Sequence, residues 1–241
     1  MDYKDIQISR QNTTTVITLN RPKKLNAYTV RMGEEIVDAF EKLRGDDDCR
    51  VIIITGAGRG FCAGVDLEKL KSGPTEEDRD LPPLGKERLV QDFADTLLNY
   101  PKPVIAAING AAIGVGVTLS LPCDIRIASE TAKLGIPFAK LGIVPGLGST
   151  WLLPRLMGPG RAKLLALTGR TLTAPEAEQY GLVDGVVAAE SLLPSALAIA
   201  EEMAQSKPAI LSLIKEALNF GLGATAIRES MTFEHEQNAR R

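Results

Sequence analysis

Two short apolar runs, residues 51–55 (VIIIT) and 104–108 (VIAAI), each lead into a glycine-rich turn, and this repeated arrangement constrains the fold more than any other feature. Runs of this length, rich in β-branched residues and bounded by turn signals, read as strands buried on both faces. The first continues through GRGFCAGVDL (58–67), the second through Asn109-Gly110 and Gly114-Val115-Gly116, and each then enters a segment with helical character. Turns that open helices leave backbone N–H groups without intrahelical partners. Two of them side by side can face one oxygen. Paired backbone donors stabilise the oxyanions of acyl and thioester chemistry, where loss of one donor costs about 3–4 kcal/mol of barrier.

The rest of the chain fits around these units. Residues 6–19 alternate about Gln11-Asn12 as a hairpin or two short strands. A helix is expected after Thr29, a good N-cap, with Met32, Ile36, Val37, Phe40 and Leu43 on one face and a stop at Gly45. Strand, helix and strand in this order predict right-handed crossovers and an α/β fold with a largely parallel sheet. Residues 72–85, rich in Pro, Gly and acidic side chains, read as a mobile surface loop of the kind that covers substrates. A further strand is expected at 124–128, a loop at 142–149, and a capping box at Thr173 to Glu176. From Leu193 the pattern is helical, which divides the chain into a core (1–192) and a C-terminal helical region (193–241). The apolar faces of that region are too broad for a lone appendage and predict a subunit contact. Residues 104–121 mimic a membrane span, but Asn109, three glycines and the flanking Pro101, Pro103, Pro122, Asp124 and Arg126 favour strand, turn and helix, so no membrane association is expected.

Composition narrows the chemistry. With 241 residues and 44% hydrophobic content the chain can bury a real core. A net charge of −2 gives no basic field for nucleic acid, so any anionic ligand is held locally. Cys49, Cys62 and Cys123 are odd in number and lack metal-site spacing, as expected of reduced thiols in the cytoplasm. The N-terminus lacks the build of a signal peptide. His235 is the single histidine and reads as solvated between Glu234 and Glu236, so no histidine-rich metal site is expected. Ser149 lacks the G-x-S-x-G frame, and Phe61 stands where a dinucleotide-binding turn needs its third glycine.

Asn20-Arg21-Pro22 with Asn26-Ala27, then FCAGVDL (61–67), AING (107–110), Gly114-Val115-Gly116, Cys123-Asp124 and LGIVPG (141–146) occur in an order and spacing that resemble the crotonase superfamily, the enoyl-CoA hydratase/isomerase family. The likeness covers nearly the whole chain. It implies a spiral of ββα units with a C-terminal helical region that forms trimers, often paired as hexamers. It also implies an acyl-CoA thioester as substrate and no cofactor beyond that coenzyme A. By this resemblance the N–H groups of Ala63 and Val115 form the oxyanion hole, the second aided by a helix dipole. Lys23, Lys24 and Leu25, with Asp66 and Leu67, match segments at the nucleotide end of coenzyme A, although the two lysines also read as a solvated loop pair. Cys62, Gly64, Gly114, Thr118, Phe138 and Gly146 fall at substrate-lining positions, and Val115, where glycine is commoner, narrows the acyl pocket.

Three family positions depart from the pattern. Thr118 and Phe138 stand where hydratases of the family carry their two glutamates, and Gly146 stands where some of its isomerases carry a carboxylate. The wording around 138–155 resembles isomerases of the phenylacetate pathway, which have an aspartate at the place of Gly146. The electrophilic half is therefore expected intact and the basic half displaced, with Glu68 and the acidic residues 76–80 as substitutes if they fold inward and as solvated residues if they do not. Double-bond isomerisation through an enolate is the leading expectation, with hydration and non-catalytic acyl-CoA binding as alternatives, and decarboxylation or thioester cleavage still open. Phe138 and Trp151 suit a pocket able to meet a ring, although Trp151 reads first as core packing. Relatives continue past the last helix with an acidic-Gly motif, so a covering lid is expected from elsewhere or from a missing tail.

Overall fold

The computed structural model describes residues 3–73 and 75–240; Met1 and Asp2, where the leader reading starts, Pro74 of the acidic loop, and Arg241 lie outside it. The expected hairpin is β1 (Ile6–Gln11) and β2 (Thr14–Leu19), antiparallel, turning at Asn12 with φ 53°. α1 (Val30–Arg44) begins where the Thr29 hydroxyl oxygen accepts the Met32 N–H at 3.0 Å, and ends at Gly45. Its apolar stripe is buried, with Phe40 edge-on to Phe93 and Tyr100 at 5.1 Å each.

Both apolar runs are strands, β3 (Val51–Gly56) and, beyond a short β4 (Gly60–Cys62), β5 (Val104–Ile108). Next come β6 (Ala111–Ile113), β7 (Ile125–Ser129), β8 (Lys133–Gly135), β9 (Thr171–Thr173) and β10 (Gly185–Val187). One sheet runs β1-β2-β3-β5-β7-β10 and is parallel from β2 onward. Alternation along β3 explains its continuous apolar character. Ile52 and Ile54 enter the main core with α1, whereas Val51 and Ile53 face Leu192, Ala196 and Ala200 of α8 (Leu192–Ala204). Each such isoleucine contributes about 1.5–3 kcal/mol by its burial. α8 is thus packed onto the sheet, although the helical region was read from residue 193.

The second sheet, β4-β6-β8-β9, was not expected from the residue pattern: three-residue strands occupy part of what reads as glycine-rich turn. Asn26 and Asn109 hold the chain where it steps between sheets. The Asn26 amide donates to Ala57 O and Gly60 O at 2.9 and 2.7 Å, and Asn109 accepts Gly56 N–H at 3.0 Å while donating to Gly58 O at 2.8 Å. The apparent membrane span resolves into β5, β6 and α4 (Val115–Ser120), which follows α2 (Leu67–Ser72) and α3 (Arg88–Leu98). Among the described residues no helix is long and apolar enough to cross a membrane.

Beyond the second sheet lie α5 (Ser149–Met157), α6 (Pro159–Thr168) and α7 (Ala174–Tyr180), the last opened by the expected capping box of Thr173 and Glu176. α9 (Pro208–Gly221) and α10 (Ile227–Ala239) pair through stacked Phe220 and Phe233, centroids 4.1 Å apart. Lys215 fastens α9 to the body by an ion pair with Asp124 at 2.8 Å. Trp151 is 41% exposed, with the Arg155 guanidinium 3.7 Å from its ring centre; the core reading is corrected, because its helix turns that face outward. His235 is exposed as expected.

Candidate active site

The two glycine turns are brought together by parallel pairing of β4 with β6, which sets Cys62 opposite Ala112. α4 then packs on β4 so closely that a Cβ on Gly116 would lie 2.2 Å from the Cys62 carbonyl oxygen, a place only glycine can fill. Gly114 caps α4 with φ 56° and ψ −114°, donating to Gly135 O at 2.8 Å and accepting from Val117 and Thr118 at 3.1 Å. Val115 is the first residue of α4, so its N–H has no intrahelical acceptor, and no other acceptor meets it among the described residues. With six residues, α4 offers donor geometry more than a macrodipole.

The first turn differs from the expectation. Ala63 N–H donates to the Leu25 carbonyl at 3.0 Å, so the assignment of Ala63 as an oxyanion donor is corrected: its proton is already engaged. Two residues on, Tyr28 bridges Val65 in parallel fashion, its N–H donating to Gly64 O at 2.7 Å and its carbonyl accepting Asp66 N–H at 2.9 Å. In a parallel bridge the central residue's own N–H and C=O point to the opposite edge. Val65 N–H therefore turns away from Tyr28 and toward the β6 side of β4, where Gly114 and Val115 follow, and it meets no acceptor among the described residues. Nothing in the sequence marks Val65 over Ala63, since the choice depends on a partner strand far away in the chain.

Val65 also lines a cavity of about 400 Å³, walled by Tyr28, Leu70, Leu81, Pro82, Pro83 and Leu84. Leu81, Pro82, Pro83 and Leu84 belong to residues 72–85, the segment expected to cover substrate, whereas nothing in the sequence points to Tyr28 or Leu70. At its rim Asp78 accepts from Lys69 at 2.8 Å, Arg31 at 2.6 Å and the Thr75 hydroxyl at 2.8 Å. Asp78 is buried, so the reading of residues 76–80 as solvated is corrected there; Glu76 stays exposed, and the Glu77 side chain lies outside the described residues. Lys69 above all, with Thr75 and Arg31, holds the Asp78 carboxyl well below the usual carboxylate range despite its burial. The unfolded chain then takes up the proton first, so this stabilisation is full above about pH 4 and is lost as pH falls toward the folded value. Asp78→Asn is expected to lower stability at neutral pH by on the order of 2 kcal/mol. In urea melts across pH, its gap to the wild type should narrow below about pH 4.

The other expected site residues divide clearly. Phe138, half-buried, presents its ring 3.8 Å from where a Gly114 Cβ would stand, so it does border the oxyanion turn. Thr118 is buried and its hydroxyl donates back to Val115 O at 3.4 Å. Cys62 is fully buried and burial pushes its thiol up to about 11, so its side chain is packing and not a substrate contact. Asp66 is a buried cap of α2 that accepts Glu68 and Lys69 N–H groups and pairs with Arg21 at 2.7 Å, which leaves it no free role toward coenzyme A. Leu67, Lys23 and Lys24 are exposed, Lys24 pairing with Glu68, which is itself solvated. Leu25, at φ 49°, supplies the carbonyl that engages Ala63. Gly146 sits exposed in the loop before α5 with nothing within 4 Å of a built Cβ. Among the described residues the carboxylates lining the cavity, Asp66 and Asp78, are both engaged with cations.

Val65 and Val115 carry open N–H groups at adjoining turns, and Val65 borders a mainly apolar cavity, an arrangement suited to carbonyl polarisation. A model described as enoyl-CoA hydratase/isomerase matches residues 9–239, and the chain belongs to that family and is an enzyme of it acting on acyl-CoA. It is 42% identical over 203 residues to 1,2-epoxyphenylacetyl-CoA isomerase of Escherichia coli (strain K12), spanning 84% of this chain and 77% of that one. It is 37% identical to the short-chain-enoyl-CoA hydratase of Clostridium acetobutylicum, over 98% of this chain and 88% of that one. Among solved structures, an enoyl-CoA hydratase from Bacillus anthracis superposes with a TM-score of 0.89 at 37% identity, covering 98% of this chain and 90% of its own. The crotonase-type fold expected from the motifs is thereby established.

Proposed function

We propose that the enzyme isomerises the double bond of an enoyl-CoA through a thioester enolate, with Val65 and Val115 N–H as the two oxyanion donors. The observation that carries this reading is the pair of unengaged N–H groups on adjoining turns, one of them, Val65, bordering an apolar cavity able to take the acyl group. Hydration is disfavoured by the same geometry. The Phe138 ring stands at the position of one hydratase glutamate, and the Thr118 hydroxyl is turned into its own helix at the other, so an attacking water lacks polar partners. The C2 proton leaves to solvent water as the enolate forms against the donor pair and a solvent proton returns at C4, a slow exchange because among the described residues no free carboxylate lines the cavity.

A time course of a 3-enoyl-CoA in deuterated water, followed by NMR, tests this. Migration of the double bond with deuterium uptake and no hydrated product is expected; a 3-hydroxyacyl-CoA as the main product would overturn it.

We also propose that exposed Ile214, Leu218, Leu222, Ile227 and Met231 of α9, α10 and their connection are covered by further copies in a trimer or a dimer of trimers, which the breadth of the apolar surface supports. Light scattering is expected to give a trimeric or hexameric mass, and a monomeric mass would refute it.

A further inference from the structure

Glu87 is fully buried at the start of α3, and among the described residues no cation pairs with it. A carboxyl group in that position is costly to bury unless hydrogen bonds compensate it. It has two donors on separate arms. The Tyr28 hydroxyl donates to one oxygen at 2.8 Å, and the Gly85 N–H donates to the other. Tyr28 is the residue whose backbone clamps Gly64 and Asp66 on either side of Val65, and Gly85 ends the stretch whose Leu81 and Leu84 wall the cavity. The Tyr28 ring has little freedom to move, because its hydroxyl sits under α1 where a Cβ on Gly33 would lie 2.2 Å from the oxygen.

Resting on the reading that Val65 N–H is a carbonyl donor, we propose that Tyr28 and Glu87 are positioning residues which hold that donor and couple it to filling of the acyl cavity. Through Glu87, an acyl chain long enough to touch Leu81 and Leu84 steadies Gly85, and Gly85 steadies Tyr28 and Val65. A short acyl group reaches the donors without this support. Small displacements of a donor are sufficient to matter, since catalysis is sensitive to misplacement of about 1 Å.

The test is difference infrared spectroscopy of carbonyl-labelled butyryl-CoA and decanoyl-CoA bound to the full-length wild type and to the Tyr28→Phe, Glu87→Ala and Glu87→Gln variants, with thermal melts as controls for folding. In the wild type the thioester carbonyl band is expected to move to lower frequency, and further for decanoyl-CoA. Tyr28→Phe and Glu87→Ala should bind both esters yet lose most of the downshift and its dependence on chain length, while Glu87→Gln, whose amide oxygen can accept the Gly85 N–H and whose NH2 can donate to the Tyr28 hydroxyl oxygen, should retain both. Tyr28→Phe removes one oxygen only and decides the matter if Glu87→Ala does not fold. Wild-type downshifts in folded Tyr28→Phe would overturn the coupling alone. A wild type that binds both esters with no downshift would overturn the oxyanion reading and the coupling with it.

Discussion

Val115→Pro is expected to lower kcat by about two to three orders of magnitude while the dissociation constant of a saturated acyl-CoA stays within a few-fold of the wild type. Proline lacks the N–H that the oxyanion needs, yet it is well tolerated at the first position of a helix. The helix itself loses nothing, because its first internal bonds run from Val117 and Thr118 to Gly114 O. Gly114, with ψ −114°, is already outside the α region that a following proline disfavours. Parallel measurements of kcat and ester affinity separate loss of a transition-state donor from loss of binding. An unchanged kcat would remove Val115 from the site.

Gly146→Asp should act in the opposite direction, raising isomerisation of a 3-enoyl-CoA by about a hundredfold, the lower range for a positioned general base. The loop has room for the side chain, since nothing lies within 4 Å of a built Cβ. The substitution adds the proton-transferring half to a site that, on the proposed reading, has the electrophilic half alone. Steady-state rates at saturating substrate report the gain. A folded Gly146→Asp protein with the wild-type rate would show that a carboxylate at this position does not reach the reacting carbons.

Features with local causes were legible in the sequence. The Thr29 cap, the Gly45 stop and the Thr173 capping box depend on residues a few positions apart, and β3 and β5 announce themselves because both of their faces are buried. The short strands β4 and β6 were not legible, since a three-residue strand carries too little periodicity to stand out from a turn. That Val65 and not Ala63 keeps its N–H open was hidden for a related reason. The difference is made by Tyr28 and Leu25, which arrive from another part of the chain and take up one set of N–H groups while leaving the other open. Asp78 reads as a solvated acid in an acidic loop, and becomes buried because Arg31 and Lys69 converge on it from α1 and α2. Likewise Glu87 has no distinguishing neighbours in sequence, and its significance comes from the two elements that donate to it.

The central claim is that a bound thioester places its carbonyl oxygen between Val65 and Val115. A crystal structure of the enzyme with a saturated acyl-CoA tests it most directly. The oxygen is expected about 2.7–3.1 Å from both N–H nitrogens, with the Ala63 to Leu25 hydrogen bond intact. A complex in which the Leu25 carbonyl has withdrawn and the thioester oxygen accepts from Ala63 N–H would contradict it.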